Sequence, residues 1–97
     1  MEIILKNRLI NVGYGNVINA DKLIAVISSD SAPARRKIQN SKEEGLAVDA
    51  TQGRKTKSLL VMENGIIILS ALTPDTITSR INDNGEVMIK GENDEER

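Results

Sequence analysis

The chain has 97 residues, of which 13 are lysine or arginine and 14 are aspartate or glutamate, and it contains neither cysteine nor histidine. Disulfides and thiolate metal sites are therefore excluded and imidazole ligands are missing, so we expect no cofactor, no metal and no small-molecule ligand. The length predicts a single domain, which we place over residues 1–90. Its core must be aliphatic, because Tyr14 is the only aromatic residue, and such a core predicts further burial against copies of the same chain.

Charge is distributed unevenly along the chain. Residues 22–57 carry eight basic and four acidic side chains, whereas residues 58–97 carry three basic and eight acidic ones. Unless this segregation is chance, it predicts a surface that binds a polyanion and, over residues 91–97, a disordered acidic tail. No segment approaches the roughly 20 apolar residues of a membrane span, and no signal peptide is evident, so we expect a cytoplasmic protein without a membrane partner.

The first part of the chain predicts two strands separated by a turn. Residues 2–10 form a run that favours a strand. Gly13 and Gly15 have a structural role as the glycines of a tight turn or bulge, and a second strand begins at residues 17–18 and resumes over residues 23–27. The last segment is apolar throughout, which predicts burial on both faces, or one face on the core and the other against a partner.

Ser31 and Pro33 predict the start of the first helix. Serine caps free N–H groups, and proline in the first turn loses no hydrogen bond, so Pro33 is expected to have a structural role. The helix should run to about Glu44 and end at Gly45, a residue suited to left-handed backbone. Because few of its residues are apolar, most of its surface is expected to face water or a ligand.

The second half predicts three strands, at residues 46–50, 58–62 and 66–69. Gly53 is the structural glycine of the turn between the first two. An Asn-Gly pair at residues 64–65 is typical of a two-residue hairpin with positive φ at both positions.

The chain is then expected to form a second helix, opened by Pro74 and Asp75 and carrying Ile77 and Ile81 on its inward face. A short strand is expected over residues 87–89. The elements together predict an α+β fold with a mainly antiparallel β-sheet and two helices.

No arrangement of side chains points strongly to catalysis. Nucleophile-elbow, phosphate-loop and dinucleotide-loop motifs are missing from the sequence. Asp49 is the only acidic residue flanked by apolar strand residues. A hydrolase using it would need a second carboxylate, and a single inward carboxylate is more often a structural hydrogen-bond acceptor. We therefore expect a protein that is not an enzyme.

Residues 53–57, Gly-Arg-Lys-Thr-Lys, form the sharpest functional motif. Arg54, Lys55 and Lys57 follow the glycine turn together with Thr56, and phosphates are bound by long cationic side chains with hydroxyls beside them. Arg54 can alternatively read a guanine edge. An edge strand protected from aggregation by charge explains the same motif equally well.

A second basic cluster, Arg35, Arg36 and Lys37, lies at the start of the first predicted helix. Positive charge there opposes the helix dipole, a small cost that a bound phosphate would remove, although a solvated helix face is the simpler explanation. Modules for single strands and RNA stack bases on several aromatic rings, and this chain has one. Duplex DNA is therefore the preferred polyanion.

The sequence as a whole resembles the RemA family, the extracellular matrix regulatory proteins of Gram-positive and related bacteria. The similarity covers residues 8–82, and its motifs follow one another in order. They are Ile-Asn-Val-Gly-Tyr-Gly-Asn at residues 10–16, Ser-Ala-Pro at 31–33, Asp-Ala-Thr at 49–51, Gly-Arg at 53–54, Leu-Ser-Ala at 69–71 and Thr-Pro-Asp-Thr at 73–76.

This resemblance implies a DNA-binding transcription regulator of matrix, biofilm and osmotic-stress genes that assembles into a ring-like homo-oligomer. It implies DNA-binding roles for Lys22, Arg54 and Lys55, of which Lys22 and Lys55 stand where the family has arginine. Lysine keeps the charge but lacks the bidentate guanidinium. The expected partners are duplex DNA and further copies of the chain. The alternative is a self-assembling protein–protein adaptor or scaffold with no DNA role.

Overall fold

The computed structural model describes residues 8–84. The elements in this range are β1 (Leu9–Asn11), β2 (Val17–Asn19), β3 (Leu23–Ser28), α1 (Ala32–Glu43), β4 (Ala47–Asp49), β5 (Ser58–Met62), β6 (Ile67–Ser70) and α2 (Pro74–Asn84), with a 3₁₀ turn at Ala20–Lys22. Most of the strand predicted at residues 2–10, the strand at residues 87–89 and the tail at residues 91–97 lie outside the described residues, and the domain boundaries stay a prediction. Neither helix of the described range is long and apolar enough to cross a membrane.

The strands form two sheets. β1 and β2 make an antiparallel pair, and the other four strands are ordered β3-β5-β6-β4. The α+β class is confirmed, but the four-stranded sheet is mixed, because β4 pairs with β6 in parallel while β5 is antiparallel to both of its neighbours. The parallel pair arises because α1 carries the chain across the sheet, so that β3 and β4 run in the same direction at opposite edges.

Two clusters of aliphatic side chains form the core, one on each face of the four-stranded sheet. The hairpin of β1 and β2, together with α2, covers the larger cluster, whose buried members are Ile10, Val12, Ile18, Ala20, Leu60, Met62 and Ile77. α1 covers the smaller one, made of Ala34, Leu59, Ile67 and Leu69. Leu59 and Leu60 face opposite clusters because successive residues of a strand point to opposite faces. α1 buries only Ala34 and Ser41, which confirms that most of its surface faces outward.

The signals predicted for α1 are confirmed. Ser31 Oγ accepts a hydrogen bond from Ala34 N at 3.1 Å, and Pro33 lies in the first turn. Gly45 has a φ of 74°, and Leu46 N beyond it donates to Ser41 O at 2.8 Å. These interactions satisfy backbone groups that a helix leaves free at its ends.

The hairpin predicted between β5 and β6 is present, but its turn type differs from the prediction. Gly65 has a φ of 89°, whereas Asn64 is not at positive φ. Met62 N donates to Ile66 O and Gly65 N donates to Met62 O, both at 3.0 Å, which is the pattern of a three-residue loop ending in a glycine bulge. The prediction for Asn64 was wrong because only the last residue of such a loop needs left-handed backbone.

β3 is less buried than its apolar sequence predicts. It lies at one edge of the four-stranded sheet, and Ile24 is 65% exposed and Ile27 39% exposed. The pairing with β5 shifts register between Leu23 and Ala25, so Ile24 lies in an irregularity of the edge. Burial of both faces within one subunit is therefore wrong, and the alternative, one face on the core and the other against a partner, stays a prediction.

Candidate nucleic-acid interface

Two tight turns lie side by side at one end of the sheet, and we call them the paired turns: residues 13–16 and residues 51–54. In the first, Asn16 N donates to Gly13 O at 3.0 Å, and the central residues have φ values of 54° (Tyr14) and 79° (Gly15). In the second, Arg54 N donates to Thr51 O at 3.0 Å, and the central residues have φ values of 56° and 80°. Positive φ at both central positions is typical of a type I′ turn.

Side chains connect the paired turns directly. Asn16 Nδ2 donates to Gly13 O within its own turn at 2.8 Å, and it lies 3.4 Å from Ala50 O, just before the other turn. Arg54 Cζ lies over the ring of Tyr14, 5.9 Å from the ring centroid, within the range of a cation–π interaction. The basic Arg54 and the only aromatic side chain of the protein are thus neighbours.

The end of β6 anchors both turns. Ser70 Oγ donates to Val12 O at 2.8 Å in the buried interior, which holds the start of the first turn. Ala50 N donates to Leu69 O at 2.9 Å, which holds the start of the second. Because both turns are hydrogen-bonded to one strand of the packed sheet, their relative position is set by the core.

Asp49 stabilises the second turn from within. Its Oδ1 accepts hydrogen bonds from Thr51 N at 2.9 Å and from Thr51 Oγ1 at 2.6 Å. The hydrogen bond from the Thr51 hydroxyl, with that from its N–H, lowers the pKa of Asp49 below its ordinary value. The side chain is exposed rather than inward, so the carboxylate is a structural acceptor and the basis of the hydrolase alternative is removed.

The last residue of the second turn and the three residues that follow it form the basic segment, residues 54–57. Arg54, Lys55 and Lys57 are all exposed. Within residues 8–84 the ion pairs are Arg8–Asp21 and Lys22–Glu63, so no carboxylate of this range neutralises the basic segment. The segment precedes β5, which lies between two other strands, and the edge-strand explanation therefore does not apply.

The segment that leads into α1 lies against the basic segment. Ser29 N donates to Lys57 O at 3.1 Å, and Ser29 Oγ donates to Thr56 O at 2.8 Å. Two residues later the helix cap begins, followed by the exposed Arg35, Arg36 and Lys37. The segment that leads to the second basic cluster is thus hydrogen-bonded to the first.

Lys22 lies elsewhere. Its Nζ pairs with Glu63 Oε1 at 3.7 Å, with both side chains more than half exposed. The β3–β5 ladder runs from Leu23 opposite Met62 to Ser28 opposite Ser58, and the four residue steps of β5 span about 14 Å. One subunit therefore presents Lys22 and the basic segment at opposite ends of the same strand pair.

The four residues expected to be structural have identifiable places. Gly13, Gly15 and Gly53 have φ values of 115°, 79° and 80°, and Pro33 is in the first turn of α1. Sequence reasoning missed the contact between Tyr14 and Arg54, because forty positions separate them. The sequence offered one signal for this contact: Tyr14 stands between two glycines, a pattern that predicts an exposed aromatic ring on a turn.

The fold and this surface define a small α+β domain that presents unneutralised cations on hydrogen-bonded turns. Within residues 8–84 it has no cluster of acidic side chains suited to hold a metal ion. The chain belongs to the RemA-like family, described as Extracellular matrix regulatory protein A-like, which matches residues 9–81. The family resemblance drawn from the sequence motifs is therefore confirmed.

Individual relatives cover most of the domain. The chain is 57% identical over 76 residues to a protein of Lachnoclostridium phytofermentans named as a regulatory protein, a match covering 78% of this chain and 84% of that protein. It is 42% identical over 85 residues to Extracellular matrix regulatory protein A of Bacillus subtilis, covering 88% of this chain and 96% of that protein. These names point to a regulatory protein rather than an enzyme.

Proposed function

We propose that this protein regulates transcription by binding duplex DNA as a homo-oligomer, with its basic residues on DNA phosphates. In keeping with the family resemblance, the regulated genes are of the matrix, biofilm and osmotic-stress type. The observation that carries the proposal is the basic segment, which is exposed, is not neutralised within residues 8–84 and is held at the end of a rigid turn.

The chemistry of the segment suits a phosphate backbone. Arg54 supplies a planar guanidinium with several donors, and Lys55 and Lys57 supply point charges beside the Thr56 hydroxyl. The hydrogen bonds from Ser29 to the carbonyls of Thr56 and Lys57 fix the backbone. Little ordering of the backbone is therefore needed when DNA binds, which favours affinity. Arg35 and Arg36, which are exposed at the start of the helix that follows Ser29, are proposed to add further phosphate contacts.

The geometry favours more than one subunit on the DNA. A single chain offers few cations. Lys22 lies opposite Glu63, six residue steps from Lys57, so it is about 20 Å from the basic segment along the strand pair. Repeating the subunit multiplies these contacts without adding any new kind of interaction. Among residues 8–84, β3 and β4 are the edge strands of the four-stranded sheet and expose Ile24 and Val48. Edges with exposed apolar side chains are suited to further pairing, which supports self-association.

Fluorescence anisotropy with a labelled duplex, repeated over a range of salt concentrations, tests the proposal. The expected result is binding that weakens with salt, because each neutralised phosphate contributes a slope of about −0.9 in log K against log salt. The Arg54→Ala variant should bind more weakly, whereas Lys42→Ala, which removes an exposed charge at the far end of α1, is the matched control. Absence of binding at low salt would overturn the proposal.

Light scattering on the same samples tests the oligomer. A mass of several subunits is expected, and a monomer at all concentrations contradicts that part of the proposal. An oligomer that does not bind DNA instead favours the adaptor alternative, for which the exposed apolar edges of β3 and β4 are equally suitable.

A further inference from the structure

We propose that Tyr14 is a positioning residue for Arg54: its ring holds the guanidinium at the paired turns before DNA arrives and thereby raises the affinity for duplex DNA. This inference rests on the proposed function and assigns a role to a residue outside the basic motifs. It concerns an interaction within one subunit, so it is separate from the assembly of subunits.

The conformation of Tyr14 is unusual for its residue type. Its φ of 54° lies in the left-handed region, which bulky side chains rarely adopt. The residue is 50% exposed and is not part of either core cluster. Packing of the core therefore does not explain why a large ring stands at this strained position. Residues held in such conformations are concentrated at functional sites.

The contact with Arg54 supplies an explanation. Arg54 Cζ lies over the ring, 5.9 Å from its centroid, and no carboxylate of residues 8–84 is paired with the guanidinium. Within residues 8–84 the guanidinium N–H groups of Arg54 donate no hydrogen bond to another group, and the contact with the ring is the side chain's only specific interaction. The ring therefore restrains Arg54 without occupying the donors that a phosphate or a guanine edge would accept.

Restraint of Arg54 lowers the cost of binding. Arginine is among the side chains that lose most rotamer freedom when they are fixed, and fixing them in advance improves affinity. The backbone of Arg54 is already held by its hydrogen bond to Thr51 O. Tyr14 extends that restraint from the backbone to the end of the side chain.

Three substitutions at Tyr14 distinguish the effect of the ring on DNA binding from the effect of the backbone conformation. Tyr14→Phe keeps the ring and removes the hydroxyl, so it should bind duplex DNA like the native protein. Tyr14→Leu keeps an apolar side chain at the same φ but removes the π system, and it should weaken binding about two- to fivefold, the effect of one exposed cation–π contact. Tyr14→Gly removes the ring and relieves the strain, so it should fold at least as well while binding as weakly as Tyr14→Leu.

A double-mutant cycle with Arg54→Ala identifies the route of the effect. If Tyr14 acts through Arg54, Tyr14→Leu causes no further decrease in affinity in the Arg54→Ala background. A decrease of the same size in both backgrounds would show that Tyr14 contacts DNA itself and would overturn the inference, as would native affinity in Tyr14→Leu. In both cases the proposed function survives, whereas failure of the native protein to bind duplex DNA removes both proposals together.

The side-chain NMR signal of Arg54 gives a readout without DNA. In the native protein and in Tyr14→Phe the Nε–H resonance should carry a ring-current shift, and in Tyr14→Leu that shift should disappear. An Arg54 resonance that is the same in Tyr14→Leu and in the native protein would contradict the contact on which the inference depends.

Discussion

Ser70 links the sheet to the first of the paired turns, and replacing it with alanine tests how this surface is held. Its Oγ donates to Val12 O at 2.8 Å and accepts a hydrogen bond from Leu72 N at 3.0 Å. Ser70 and Val12 are both fully buried, at 0% exposure. Ser70→Ala therefore leaves a buried carbonyl and a partly buried N–H without this partner, and it introduces no new polar group.

The expected destabilisation follows from the two groups left unsatisfied. Each such group costs about 1–3 kcal/mol, with the buried Val12 carbonyl toward the upper end and the partly buried Leu72 N–H toward the lower, so the free energy of unfolding should fall by about 2–4 kcal/mol. In a domain of this size each kcal/mol lowers Tm by about 4–8 °C, which gives a drop on the order of 10–30 °C.

Urea unfolding followed by circular dichroism measures this destabilisation at a fixed protein concentration, because self-association would change the apparent stability. Ser79→Ala is the matched control, since Ser79 is exposed on α2. The slope of free energy against urea should be the same in both variants. If Ser70→Ala unfolds within about 0.5 kcal/mol of the control, which is the usual range for surface substitutions, then the buried hydrogen bonds do not hold the turn to the sheet.

Three further predictions concern charge. Arg54→Ala should reduce the magnitude of the slope of log K against log salt by about 0.9 for each phosphate that Arg54 neutralises in the native complex. Light scattering should show that the oligomer remains intact. An unchanged slope would show that Arg54 neutralises no phosphate. Glu63→Gln frees Lys22 from its ion pair and should strengthen DNA binding with little effect on Tm, since both side chains are exposed; weaker or unchanged binding in the anisotropy assay contradicts a role for Lys22. Asp49 has a pKa lowered below its ordinary value of 3.8 by the hydrogen bonds from Thr51, so its contribution to stability is complete above that value and disappears as the pH falls through the folded-state pKa. Asp49→Asn should therefore be less stable than the native protein at pH 7, and its stability should decrease less on acidification below about pH 4. Thermal unfolding measures both effects, and parallel curves of stability against pH would refute the stabilising role of the Asp49 carboxylate.

Features whose physical cause lies within a few residues were predictable from the sequence. The start and end of α1 depend on Ser31, Pro33 and Gly45, each of which acts on backbone groups up to four positions away. β5 was predicted with its observed bounds because its five residues form a continuous β-favouring run. The turn at Asn64 was only partly predicted, since a two-residue and a three-residue loop share the same Asn-Gly signal.

Features that depend on distant residues were not predictable. Nothing local to β4 (Ala47–Asp49) indicates that it pairs in parallel with β6 rather than antiparallel. The partial exposure of β3 depends on its place at the edge of the sheet, which its own apolar sequence does not encode. For the same reason the basic segment was evident from consecutive residues, whereas the ring that contacts Arg54 was not.

The proposed polyanion site lies on a chain with a net charge of −1, and the local arrangement of its cations makes the two compatible. Net charge governs long-range attraction, but a phosphate responds most strongly to cations within about one Debye length, roughly 8–10 Å in ordinary salt. Arg54, Lys55 and Lys57 meet this condition because they lie within four consecutive residues, whose backbone spans at most about 10 Å. The conformation of Arg54 is set inside the subunit, by Tyr14 and by the hydrogen bonds of the second turn. In the proposed complex with DNA, affinity would depend on how many such segments an oligomer presents to one duplex, so the two properties would respond to different substitutions.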